Sequence, residues 1–192
     1  MKVRTAFLMC TLSSFTAACL LAASAVLAPG VAQAEEPAPP PLIAGFGKSA
    51  PVENPGEPPD PTLDYKIVMD AVEGGEEGAA PPTFERVARL INMLAQSGVP
   101  ADHRHIVVML YGPATEAVLT EEGRKAHKLG PSSSADAIAK LIAAGVSIRV
   151  CGQAVAKWGI ARSEILPGVQ VDLSAMTTLA TLQLKGYAFL PE

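Results

Sequence analysis

Cysteine is the first scarcity. The 192-residue chain has three, Cys10, Cys19 and Cys151. That excludes a disulfide-rich scaffold and a four-cysteine zinc site. Charge is thin as well. Asp and Glu number 19 against 15 Lys and Arg, a formal net charge of −4. So mild an acidic balance gives no electrostatic route to non-specific binding of nucleic acid or anionic lipid. Glycine and proline, at 16 and 17, are raised but far short of a collagen repeat. No internal repeat is present. The length fits one ordinary domain with additions, not two large ones. An apolar share of 49% indicates a well-stocked core, though part of it lies in the first 34 residues.

Those residues lack charge altogether between Arg4 and Glu35. Lys2 and Arg4 give a positive start. The apolar stretch from Ala6 to Ala28 is diluted by Thr11, Ser13, Ser14, Thr16 and Ser24, and Ala32 and Ala34 form an Ala-x-Ala cleavage site. Residues 1–34 therefore read as a secretory signal peptide, which makes the mature protein periplasmic or secreted. The uncharged run is long enough to span a bilayer. Its hydroxyl residues and cleavage site argue against an anchor, so no stable membrane insertion is expected after cleavage. A lipoprotein reading at Cys19 lacks the usual aliphatic residue three positions earlier, where Thr16 stands. Cleavage removes Cys10 and Cys19 and leaves Cys151 as the only cysteine. A lone cysteine in an oxidising compartment is buried and inert, paired with another molecule, or kept reactive for a purpose.

Residues 35–63 carry nine prolines and few residues that build a core. They read as a Pro-rich, disordered linker, an extended spacer of polyproline type. The folded domain is expected over 64–192, about 130 residues, enough for one hydrophobic core. Tyr65–Asp70, His105–Leu110, Val146–Val150, Val169–Asp172 and Tyr187–Leu190 read as strands. Between them, Thr83 is placed to cap a helix with Phe84, Val87, Leu90, Ile91 and Leu94 at helical spacing. A short helix is expected at Thr115–Leu119, a second at Glu121–Leu129, and a third capped by Ser133 or Ser134. A short helix follows Cys151, and Ser174 caps the last one. Strands alternating with helices indicate an α/β fold, a three-layer sandwich around a mostly parallel five-stranded sheet. Ligands in such sheets sit at the carboxyl ends of the strands. The loop after Asp70, the Tyr111-Gly112 turn and Cys151 all fall there.

Cys151 directly follows an apolar strand and opens a helix. Backbone N–H groups at a helix start favour an anion and so can stabilise a thiolate. Gly152 permits close approach to the sulfur, and Gln153 offers an amide to a bound group. A cysteine after a buried strand is also often a small apolar filler. Spacing alone leaves both readings open.

The segment Ala144 to Gln153, with Val150-Cys151-Gly152-Gln153 at its end, resembles the signature of the DsrE/DsrF-like family of sulfur-relay proteins. Gly159-Ile160, Leu166-Pro167-Gly168-Val169, Ser174-Ala175-Met176 and Leu182 to Ala188 match in order and spacing. Upstream, Leu110 to Thr115 resembles the family's His-Gly turn. The match covers about 64–192. It implies a flavodoxin-like fold, assembly into homo-oligomers (trimers or hexamers), and a persulfide-carrying cysteine at Cys151. Thiol or persulfide donors and acceptors, protein or small molecule, would be its partners. Tyr111 stands where the family often has His, and the sulfur-relay members act in the cytoplasm whereas this chain carries an export signal. Gly152, Gln153, Tyr111 and Gly112 are the expected substrate-binding residues beside the catalytic Cys151. The alternative is a non-catalytic assembly or ligand-binding module with an inert Cys151.

Other candidates are weaker. His103 and His105 lie two apart and could share a strand face, but no third ligand has a recognisable spacing, so no metal is expected. His127 sits among Arg124, Lys125 and Lys128 as on a solvated face. The Gly74-Gly75-Glu76-Glu77-Gly78 loop lacks the P-loop Lys-Ser/Thr and the dinucleotide glycine spacing, and its carboxylates repel phosphate. No cofactor is expected. Trp158 is expected to pack near the Cys151 helix, and no Ser-His-Asp arrangement has a supporting motif.

Overall fold

The computed structural model describes residues 39–192. The leader assigned to residues 1–34 lies outside the described residues, with Cys10 and Cys19. Five strands form one sheet: β1 (Tyr65–Ala71), β2 (Arg104–Leu110), β3 (Ser147–Cys151), β4 (Gln170–Asp172) and β5 (Ala188–Leu190). Their order is β4-β3-β2-β1-β5, and every pairing is parallel. The helices are α1 (Pro82–Gln96), α2 (Glu121–Ala126), α3 (Ser134–Ala143), α4 (Gly152–Lys157) and α5 (Ala175–Leu184). Among the described residues no helix is long and apolar enough to cross a membrane.

The alternation of side chains along each strand builds two cores. Ile67, Met69, Ala71, Ile106, Val108, Leu110, Ile148 and Val150 face one way, where α1 and α3 bury Phe84, Val87, Ile91, Ile138 and Leu141. Val68, Val107, Met109 and Cys151 face the other way, against Ala175 and Leu182 of α5. The chain steps from β1 to β4 in one direction and then returns past β1 to β5. With a constant handedness of crossover, that reversal puts α5 on the opposite face from α1 and α3. Phe84 and Val87 are fully buried. Truncating Ile91 to alanine in this packing costs about 2–5 kcal/mol.

Three local expectations change. Thr83 does not cap α1: the helix begins at Pro82, behind Pro81. Proline at the first helical position needs no partner for an N–H, so no side-chain cap is required. The Thr83 hydroxyl instead donates to Glu192 Oε1 at 2.6 Å. The expected Thr115–Leu119 helix is a 3-10 segment over Gly112–Val118. Ser133 stands at the N-cap of α3 without a capping bond; Ser132 Oγ takes the Ser134 N–H at 3.1 Å. Ser174 does cap α5, accepting from the Thr177 N–H at 3.1 Å.

Part of the proline-rich segment is not a free spacer. Residues 39–63 form no helix or strand, yet Ile43 is buried and Phe46 packs against the main core. A polar stripe along α1, Glu85, Arg89, Asn92 and Gln96, holds this segment by its backbone. Glu85 accepts the Gly47 N–H, Arg89 donates to the Lys48 carbonyl, and Gln96 donates to that of Pro39. Asn92 is buried and accepts the Ile43 N–H while donating to the carbonyls of Ile43, Phe46 and Gly47. Composition identifies an extended chain; it does not show that a helix will bind its peptide groups.

Candidate functional site

At the carboxyl end of the sheet, four polar side chains form a row on the α5 face. Asp70 comes from β1, Tyr111 follows β2, Cys151 ends β3 and Asp172 ends β4. The register places them side by side: Leu110 pairs with Val150, and Cys151 pairs with Asp172. Each sits at an odd or even position that strand alternation sends toward α5.

Cys151 is a free thiol, 7% exposed, packed among Val107, Met109 and Ala175. It is the N-cap residue of α4, but its sulfur takes no hydrogen bond from that helix. The thiol lies in a pocket of about 390 Å³ lined by Tyr111, Gly112, Gln153, Ser174, Met176 and Leu179, with Ala154 and Ala175. None of those side chains is charged. Met176 and Gln153 are exposed and form its rim. The arrangement provides a soft nucleophile in a weakly polar cavity, suited to a neutral sulfur group more than to an anion.

The residues expected around the thiol have distinct places. Gly112 has φ +57°, in the left-handed region that favours glycine; it turns the chain sharply after Tyr111 and lines the pocket. Gly152 is not among the lining residues. A Cβ there would lie 2.5 Å from the Asp172 carbonyl oxygen. The close approach is made by the end of β4, not by a substrate. Gln153 lines the pocket and donates its amide to the Leu173 carbonyl at 3.2 Å, which ties α4 to the segment before α5.

Tyr111 donates its phenolic hydrogen to Asp70 Oδ2 at 2.7 Å. Burial, then the Asp70 bond and the charges of Asp70 and Glu192, push the phenol up to about 12. It stays protonated, and its hydrogen is committed to Asp70, so it serves the thiol as an aromatic wall and not as a base. Asp70 Oδ1 accepts the Glu192 N–H at 2.9 Å. The Glu192 carboxylate in turn accepts the N–H groups of Val72 and Glu73 and the Thr83 hydroxyl. Burial alone would raise that carboxyl. The Thr83 bond, the two N–H groups and the Arg86 charge outweigh it and hold the carboxyl below its ordinary value.

Asp172, at the far end of the row, pairs with Arg149 at 3.4 Å and accepts the Thr178 hydroxyl at 2.9 Å. The remaining sequence candidates do not converge on the thiol. His103 contacts the Pro61 carbonyl, and His105 lies 3.8 Å from Asp64. His127 faces Glu164 at 3.3 Å and is partly buried, not on a fully solvated face. Trp158 packs on the main core, behind the sheet. Gly74 and Gly78 approach Pro113 and Pro131, and neither glycine lines the pocket. Among the described residues no group of three His, Cys, Asp or Glu could hold a metal ion. Sequence reasoning missed Met176 and Leu179 as pocket walls, and Glu192. Asp70 carried a signal: it is an acidic residue directly after the apolar run Ile67-Val68-Met69.

The model of the DsrE/DsrF-like family matches residues 66–191. The chain belongs to that family. Its fold is also that of two solved structures. One is the protein of unknown function MTH1491 from Methanobacterium thermoautotrophicum, 19% identical, with a TM-score of 0.52 over 67% of this chain and 100% of that one. The other is the ychN protein from E. coli, 18% identical, with a TM-score of 0.50 over 66% of this chain and 98% of that one. At these identities the likeness concerns the fold alone. No curated protein matches the chain.

Proposed function

We propose that this DsrE-family chain is an exported sulfur carrier of the sulfurtransferase type, which holds sulfane sulfur as a persulfide on Cys151. The observation that carries the reading is the placement of the chain's one described cysteine. Cys151 ends a central strand and faces an uncharged pocket at the sheet's carboxyl edge, where this class of fold does its chemistry. The Cys151 thiolate attacks the outer sulfur of a persulfide R–S–SH. A new S–S bond forms between Cys151 and that outer sulfur, the donor's own S–S bond breaks, and RS⁻ leaves with the electron pair. The sulfane sulfur keeps its oxidation state. An acceptor thiol reverses the step, since Cys151 has no second cysteine beside it among the described residues.

Export rests on residues 1–34 and places the mature protein in the periplasm or outside the cell. Homo-oligomerisation, as a trimer or hexamer, is supported by an apolar stripe on α5 and the residues before it. Leu173, Met176, Ala180 and Leu184 are exposed at helical spacing. Polysulfide treatment followed by intact-mass analysis tests the carrier reading: added sulfur atoms are expected on the wild type and absent after Cys151→Ser. Equal loading of both proteins would sink it. A second reading, an assembly module with an inert cysteine, is favoured by the 7% exposure of Cys151. It predicts a thiol that alkylates only after denaturation.

A further inference from the structure

The wall of the thiol pocket is held from outside the pocket. Tyr111 lines the cavity and packs in the same apolar cluster as Cys151. Its hydroxyl is fixed by Asp70 Oδ2 at 2.7 Å, and Asp70 is 6% exposed. The other Asp70 oxygen is taken by the Glu192 N–H at 2.9 Å. Glu192 is fastened by its carboxylate to Val72 N–H at 2.7 Å, Glu73 N–H at 2.9 Å and Thr83 at 2.6 Å. Arg86 adds a bond to the Pro191 carbonyl at 3.0 Å. Asp70 itself does not line the pocket, nor does Glu192. A buried carboxylate near the end of a mostly apolar strand is costly unless its oxygens are paired, and its two partners here are an aromatic side chain and the residues that follow β5.

We propose that Asp70 and Glu192 are positioning residues for the Cys151 pocket: they pin the Tyr111 ring and so set the width of the opening through which a sulfur donor reaches the thiol. The inference rests on the carrier reading for its purpose, but not for its test. Without the Asp70 bond the ring is free to rotate about its side-chain torsions, the opening widens, and bulky reagents gain more access than small ones. With it, the pocket admits a narrow sulfur chain and excludes a branched one.

The test compares modification of Cys151 by iodoacetamide and by the bulkier N-phenylmaleimide in the purified protein. Wild type, Tyr111→Phe, Asp70→Asn, Glu192→Gln and Asn92→Ala are measured together. The maleimide-to-iodoacetamide rate ratio is expected to rise about fivefold in Tyr111→Phe and Asp70→Asn, the effect of losing one buried hydrogen bond, and less in Glu192→Gln. Asn92→Ala weakens the opposite face of the sheet and should leave the ratio at the wild-type value, which separates positioning from general loosening. In a spectrophotometric titration, the high phenol step should vanish in Tyr111→Phe and move down in Asp70→Asn. A ratio unchanged in Tyr111→Phe overturns the proposal, and that variant keeps the ring, so it decides the matter even if Asp70→Asn does not fold. Sulfur loading of the wild type is measured separately. Its failure with a thiol that still alkylates would remove the carrier reading and leave the ratio decisive for Asp70 and Glu192; a thiol that alkylates only after denaturation would overturn both.

Discussion

The side-chain oxygen of Asn92 accepts the backbone N–H of Ile43 at 2.8 Å, across 49 residues of sequence. The same amide donates back to the carbonyls of Ile43, Phe46 and Gly47. One buried side chain on α1 thus satisfies four peptide groups in the turn that seats Ile43 on the core. Asn92→Ala leaves those groups without partners, at a cost of about 1–3 kcal/mol. The urea midpoint should fall accordingly, and tryptic cleavage after Lys48 should accelerate. A cleavage rate equal to that of the wild type would show that the segment is held by something else.

Gly152 has no room for a methyl group, because the Asp172 carbonyl oxygen is 2.5 Å from where it would stand. Gly152→Ala has to push β4 away from β3 beside the thiol. The expected loss of stability is about 1–3 kcal/mol, read as a lower thermal midpoint. Iodoacetamide should also modify Cys151 faster in this variant, since Cys151 pairs with Asp172 across the same two strands. A variant with unchanged midpoint and unchanged alkylation would refute the packing argument.

The Glu192 fastening depends on pH in a defined sense. Its folded carboxyl lies below the ordinary value. The stability it contributes is therefore complete above the unfolded glutamate value of about 4.3 and is lost as pH falls through the folded value. Protection of the Val72 and Glu73 amides against hydrogen exchange should hold above that point and drop below it. Glu192→Gln should remove the pH dependence. Tyr111 has the opposite sign. Its phenol is raised from 10.0 to about 12, so its contribution is complete below the unfolded value and lost as pH rises through the folded one. Protection that is flat across the acid range would exclude a carboxylate fastening.

Leu184 is 90% exposed, Met176 81% and Leu173 73%, all in or just before α5. Isolated exposed apolar residues are ordinary; the proposal of self-association rests on their forming a stripe at helical spacing. Sedimentation of the wild type should give a species larger than one chain, and Met176→Asp with Leu184→Asp should reduce it to a monomer with its circular dichroism retained. A wild type that sediments as a monomer at micromolar concentration would remove the stripe as a self-association site.

The strands were legible because a short unbroken apolar run, as in a strand covered on both faces, is written directly in Ile67-Val68-Met69 and Ile106-Val107-Val108-Met109-Leu110. The alternation of strand and helix dictated a parallel α/β sheet, and the Cys151-Gly152-Gln153 signature with its flanking motifs pointed to the family that the comparison then showed. Local rules also placed Ser174 as a cap and Cys151 at the mouth of α4. What local rules could not reach is any contact whose partners lie far apart in sequence. Strand order put Asp70, Tyr111, Cys151 and Asp172 in one row. The reversal to β5 brought Glu192 onto the loop after β1, which turned Tyr111 from a candidate substrate ligand into a tethered wall. The polar stripe of α1 drew part of the proline-rich segment onto the domain. These relationships depend on hydrogen bonds between groups 37 to 122 residues apart. Their free energy exists only once the chain has closed those loops, so no window along the sequence contains them.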